Sequence, residues 1–309
     1  MSKLFANLIQ GFVGFINKSL IKNLIVITIC ILLIFVQIFF PYQYFASENK
    51  KVNSQFQVGI HYVYEQDNEA QIYGEITRIY DLGFKVIRIT LECNPYDYNH
   101  TQNRKTDAFF SATDSYGLAV ALVIQNLDLA DRVNYYLDRW GSRLKYIQVM
   151  NEPELSSTWS VGSIFSDDEI ITNFEQMYQN VKAHHLSAQL YTNFGIGYIL
   201  RSNVPIELSK NLDFVGFDVF MDSFLVLSPH FIKNLQQITN RDVVITEFGM
   251  STSNSQAQSD FLIKGLNLFK NMDLKGCWLV YWNSAFDNYG IRDRPAEQAV
   301  GDWIAQNAN

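Results

Sequence analysis

The chain has 309 residues, 48% hydrophobic and 15% aromatic, with a formal net charge of −7, a globular composition with room for one large core. Of its 24 basic residues, Lys3, Lys18 and Lys22 precede Glu48, the first acidic residue, so the rest of the chain sets 21 basic against 31 acidic side chains. An acidic body repels phosphate backbones and argues against a nucleic-acid partner, and Cys30, Cys93 and Cys277 fit no metal or disulfide framework, which leaves three unpaired thiols.

Residues 1–23 repeat Leu4, Leu8, Phe12, Ile16 and Leu20 every fourth position, the pattern of a short cytoplasmic or interfacial segment. In residues 24–40 the only polar members are Thr28 and Gln37. At about 1.5 Å per residue that run reaches roughly 26 Å, the short end of a transmembrane helix. Lys18 and Lys22 ahead of it, and Ser47-Glu48-Asn49-Lys50-Lys51 behind, argue against a buried core helix. The expectation is an uncleaved signal anchor with the N-terminus inside and everything from Gln57 onward outside the cytoplasm. Cleavage near Ser47, giving a secreted protein, is the alternative. Residues 41–56 read as a linker.

From residue 57 to residue 309, strand and helix patterns alternate. Short apolar runs at Gln57–Tyr62, Val86–Thr90, Ala119–Ile124, Tyr146–Glu152, Gln189–Asn193, Phe214–Val219, Val243–Gly249 and Gly276–Trp282 read as strands. Helical patterns fall between and after them, at Asn68–Leu82, Thr106–Tyr116, Leu129–Trp140, Ser166–Ser187, Pro205–Lys210, Ser255–Asn271 and Pro295–Gln306. A further helix is expected to open at Ser228-Pro229, with the serine as cap and the proline in the first turn. Eight such units have the size and rhythm of a (β/α)8 TIM barrel. A doubly wound open sheet would want a glycine-rich phosphate turn after the first strand, and Ile60-His61-Tyr62-Val63-Tyr64 has none.

Two of the strands run into glutamates. The fourth ends Met150-Asn151-Glu152-Pro153, with Gln148, Met150 and Glu152 on one side by alternation, and the seventh ends Thr246-Glu247-Phe248-Gly249. Carboxyls at the carboxyl ends of two parallel strands suit glycoside hydrolysis by a pair of acids. These strand ends resemble the clan A glycoside hydrolases, particularly their cellulase-like family 5 relatives. The resemblance implies a retaining O-glycosyl hydrolase acting on a poly- or oligosaccharide outside the cytoplasm, with Glu152 as acid/base, Glu247 as nucleophile, and no cofactor or metal.

The same resemblance assigns Asn151 to the sugar 2-hydroxyl, Arg88 on the second strand to the nucleophile, and Trp282 on the eighth to the floor beneath the cleaved sugar. Trp159, Tyr62 and Tyr64 would extend the cleft, with Asn126 and His61 as lesser candidates. Asp218 on the sixth strand would bind sugar or pair with Arg88. The pattern departs at Phe220, where many relatives carry a tyrosine that bonds the nucleophile, so the alternative is a catalytically weak or inactive barrel that binds carbohydrate at the cell surface. Nothing in the sequence speaks to oligomeric state.

Overall fold

In a computed structural model the described residues are 56–97, 100–125, 129–155, 166–200, 203–272, 274–283 and 288–307. The expected anchor at residues 24–40, and with it Cys30, lies outside them. Among the described residues no helix is long and apolar enough to cross a membrane. Cys93 and Cys277 are buried free thiols.

Eight parallel strands close into a barrel, each pairing with its neighbour in sequence and β8 with β1. They are β1 (Gln57–His61), β2 (Val86–Thr90), β3 (Ala119–Ile124), β4 (Tyr146–Val149), β5 (Gln189–Phe194), β6 (Phe214–Phe220), β7 (Val243–Gly249) and β8 (Gly276–Leu279). Among the described residues eight α-helices pack outside: α1 (Glu69–Asp81), α2 (Thr101–Tyr116), α3 (Ala130–Trp140), α4 (Asp167–Lys182), α5 (Asn203–Ser209), α6 (Asp222–Thr239), α7 (Ser255–Asn271) and α8 (Pro295–Asn307). Local chemistry sets several of their ends. Asn68 and Ser166 close capping boxes with Gln71 and Glu169, satisfying backbone donors that an unfinished helix leaves open. Gly117 ends α2 in the left-handed conformation.

The helix expected to start at Ser228-Pro229 starts earlier, at Asp222, and runs straight through the proline. Pro229 has no N–H to offer the Leu225 carbonyl. The Ser228 hydroxyl donates to that carbonyl instead, at 2.8 Å, so the serine mends the helix rather than capping it. The Ser-Pro pair therefore has a different meaning here from the one its sequence suggests.

Alternation along the strands fills the barrel in two layers. The lower is apolar: Val86, Ala121, Tyr191, Phe214, Val244 and Trp278, with Ala119 and Tyr146 against them. Gly59 makes room for it, since a Cβ there would stand 2.6 Å from Trp278 Cδ1. Two residues further along β2, β4, β5 and β7, and four further along β6, the inner face turns polar, with Arg88, Gln148, Asn193, Thr246 and Asp218. Between Phe217↔Ile245 and Asp218↔Glu247 the β6–β7 register skips one residue of β7. Such a bulge re-aims side chains: Glu247 takes the position opposite Asp218, and Thr246 stays in reach of the same carboxylate.

Candidate active site

The polar layer is one connected network at the C-terminal mouth. Arg88 is its hub: Nη2 donates to Glu247 Oε1 at 2.6 Å, to Gln148 Oε1 at 3.0 Å and to Asn151 Oδ1 at 3.2 Å. Its Nη1 lies 3.1 Å from His61 Nδ1. A guanidinium can only donate, so that contact fixes the ring's tautomer with Nδ1 accepting. Burial, then the charge of Arg88, holds the His61 pKa well below its ordinary value, and the imidazole is neutral. The Arg88 side chain is 3% exposed and that of Glu247 15%, a pair tolerable away from water because further hydrogen bonds surround it.

Glu152 is held differently. β4 stops at Val149, and Met150 and Glu152 follow with φ of 62° and 42°, left-handed backbone that side chains with a Cβ seldom adopt. β5 holds this turn. The Thr192 hydroxyl donates to the Met150 carbonyl at 3.1 Å, and Asn193 Oδ1 accepts from the Glu152 N–H at 2.9 Å. Asn193 also accepts from Gln148 Nε2 at 2.6 Å and donates to Asn151 Oδ1 at 3.1 Å and Asp218 Oδ2 at 2.6 Å. Strain held in place by neighbouring hydrogen bonds is typical of functional sites. Gly216, paired with Asn193, lets the amide in, since a Cβ there would lie 2.8 Å from Asn193 Cβ.

The electrostatics separate the two glutamates. Burial, and then the charge of Glu247, pushes the Glu152 pKa up to about 7, against an opposing pull from Arg88. Glu247 has Arg88 as a direct ion-pair partner. The mouth thus offers one proton-bearing carboxyl and one charge-paired carboxylate, the division of labour that acid and nucleophile need. Burial, with Glu247 and Glu152 next, also holds Asp218 well above the usual carboxylate range.

The sequence-predicted residues divide into those brought together here and those sent elsewhere. Glu152, Glu247, Asn151, Arg88, Asp218 and His61 meet at the mouth. Asp218 does not pair with Arg88 by direct contact; it accepts from Asn193 and from Thr246 Oγ1, the latter at 2.8 Å. Trp282 is not a cleft floor. It is fully buried, its indole N–H donates to Glu75 Oε2 at 2.6 Å, and Arg78 lies over the ring at 5.5 Å. Regular β8 ends at Leu279, and the β7–β8 register slips between Ile245 and Phe248. Beyond the slip it is Tyr281 that meets inward-facing His61, with ring centroids 5.1 Å apart, while its neighbour Trp282 turns to α1.

Tyr62 is corrected for the same kind of reason. Adjacent residues on a strand face opposite sides, so with His61 inside, Tyr62 points to the helices. There it is 1% exposed and bonds Asp67 at 2.6 Å. Tyr64 is likewise buried, against Phe109 and Thr106. Trp159 and Asn126 lie outside the described residues. Sequence reading missed Asn193 and Thr246 as site residues and used Gln148 only to mark a face. A polar side chain at inward parity within an apolar strand was the available signal. No group of three His, Cys, Asp or Glu among the described residues could hold a metal ion.

The closed parallel sheet, with carboxyls at its C-terminal mouth, is an eight-stranded α/β barrel. No protein-family model matches the chain, and no curated protein matches it in sequence. Among solved structures it is similar to the hyperthermostable endo-1,4-β-D-mannanase from Thermotoga petrophila RKU-1, with TM-score 0.63 and 12% identity over 82% of this chain and 99% of that one. The endo-1,4-β-mannanase of Rhizomucor miehei gives 0.62 and 12%, covering 84% and 96%. A β-glucosidase from Exiguobacterium marinum gives 0.60 and 10%, covering 83% and 100%. At these identities the likeness is one of fold.

Proposed function

We propose that this protein is a retaining glycoside hydrolase, with Glu247 as nucleophile and Glu152 as acid/base, acting on a poly- or oligosaccharide outside the cytoplasm. The observation that carries the reading is the asymmetry of the two carboxyls: Glu247 is bonded to Arg88 at 2.6 Å, while Glu152 holds its proton to about pH 7. Glu247 attacks the anomeric carbon as the glycosidic C–O bond breaks, and the Glu152 proton passes to the leaving oxygen. Water then loses a proton to Glu152 and releases the sugar from Glu247. Asn151, locked by Arg88, Gln148 and Asn193, is the residue assigned to the sugar 2-hydroxyl. Phe220 supplies no hydroxyl to orient the nucleophile, but Arg88 does that work in its absence, which favours catalysis over a purely carbohydrate-binding barrel.

Azide separates the two roles. On an aryl glycoside with a good leaving group, Glu152→Ala should accumulate a glycosyl enzyme, and azide should restore turnover with a glycosyl azide of retained configuration. Glu247→Ala should give the inverted azide in a single displacement. The same anomer from both variants would overturn the assignment. The membrane anchor at residues 24–40 is part of the same proposal. Its check is fractionation of cells expressing the full chain, where a soluble form beginning near Ser47 would count as a cleaved signal instead.

A further inference from the structure

Beside Glu152 the mouth holds a cavity of about 120 Å³. Its walls are Leu155 after β4, Ile196 after β5, Phe217 and Phe220 on β6, and Phe224 and Phe231 on α6. Gly195 completes it and sets its polar end: a Cβ there would stand 2.7 Å from Glu152 Oε1, so the acid's oxygen lies against this glycine. Leu155, Phe220, Phe224 and Phe231 are half-buried and Ile196 is 38% exposed, so the cavity is reached from solvent although its walls are apolar. The other carboxyl on its wall, Asp218, already accepts bonds from Asn193 and Thr246.

A sugar seated here would bring several hydroxyls to a surface of phenyl, leucine and isoleucine side chains, and each buried hydroxyl without a partner is costly. An apolar ring has no such cost. Size agrees, since a cavity of about 150 Å³ lined by Leu, Ile and Phe takes up benzene. We infer that this cavity receives an apolar aglycone of about one ring, so that the bond cleaved joins the sugar to a hydrophobic alcohol or phenol rather than to a second sugar. The inference rests on the glycosidase reading and narrows its substrate: at the cleaved bond the sugar or sugar chain is joined to this aglycone in place of a further sugar. As the C–O bond to the aglycone breaks and Glu247 bonds the anomeric carbon, the Glu152 proton moves to the aglycone oxygen and a neutral alcohol departs. Phe220 then has a use: where a tyrosine would place a hydroxyl, it leaves the wall apolar.

The test compares benzyl with methyl β-glycosides of glucose and mannose, whose leaving alcohols are similar in acidity, together with cellobiose and mannobiose. Expected is a kcat/KM for the benzyl compound higher than for the methyl one by on the order of tenfold or more, with the disaccharides no better than methyl. Ile196→Asn at the rim, and Phe224→Ala within, should each bring benzyl and methyl towards parity. Calorimetry on Glu247→Ala should show the same benzyl preference in Kd, without turnover. Equal benzyl and methyl values in both binding and turnover would sink the inference, as would disaccharides preferred over benzyl. Tighter benzyl binding that depends on Phe224, in a wild type that turns over none of these glycosides, would keep the cavity assignment and remove the glycosidase reading.

Discussion

The barrel's two interior layers share strands β2, β4, β5, β6 and β7 at the same parity, two residues apart or four on β6, and they do opposite things. The lower one (Val86, Ala121, Tyr191, Phe214, Val244, Trp278) is an apolar plug. The upper one, from Arg88 through Gln148 and Asn193 to Asp218, carries almost nothing apolar and is joined by hydrogen bonds from end to end. Burial of apolar surface supplies stability roughly in proportion to area. A buried polar network contributes little net stability and is costly wherever one member goes unpaired. The lesson is a division within one core: the lower layer holds the barrel shut, and the upper layer spends stability to fix the Glu152 and Glu247 carboxyls in place.

Breaking the upper layer at its hub should have the largest effect. Arg88→Ala leaves Glu247 without its cation, takes the Arg88 donor from Gln148 Oε1, and leaves Asn151 Oδ1 with Gln148 and Asn193 as donors. Loss of one partner of a buried pair costs about 3–5 kcal/mol of stability, and loss of an aligned cation should lower kcat by about a hundredfold or more. Because Arg88 pulls the Glu152 pKa down, its removal should move the alkaline limb of residual activity to higher pH. A pH–rate profile alongside urea unfolding measures both, and an unmoved alkaline limb would detach Arg88 from the acid.

Breaking the lower layer should cost a comparable amount of stability with none of the chemistry. Trp278→Ala opens a cavity in the plug, at about 3–5 kcal/mol, while the pH optimum of whatever folds stays where it was. A shifted optimum would mean the layers are not separable.

The mildest change sharpens the contrast. Folded Glu152 keeps its proton to about pH 7, whereas an ordinary glutamate releases it near 4.5. Its contribution to stability is therefore fully present below about 4.5 and is lost as pH rises through about 7. Activity that needs the protonated acid should fall over the upper part of that range. Glu152→Gln has no proton to lose, so relative to wild type it should gain on the order of 3 kcal/mol between pH 4 and pH 8. Thermal melts at the two pH values read the difference, and a constant offset would mean that Glu152 is not desolvated.

How much of this was legible in advance varies with the physical origin of each feature. The capping boxes at Asn68 and Ser166 are local chemistry, each closed by a residue three positions on, Gln71 and Glu169. Strands β2 and β3 match their apolar runs to the residue. Pro229 misled because a neighbouring hydroxyl, three residues on from its acceptor, stands in for the missing bond. Trp282 misled because regular β8 ends at Leu279, and past that end the indole turns to Glu75 while Tyr281 meets His61.

What the sequence determined by itself is what repeats or stays local: eight strand–helix units, the helix caps, and two glutamates at the ends of the fourth and seventh strands. Hydrophobic periodicity and backbone chemistry act over a few residues and can be read there. Only tertiary structure decided which of those side chains meet. Glu247 faces the mouth because β7 slips one residue against β6, and Glu152 because Thr192 and Asn193 on another strand hold a left-handed turn. Inter-strand register and hydrogen bonds between distant residues are set by the closure of the whole barrel, and a one-residue slip exchanges the two faces of a strand.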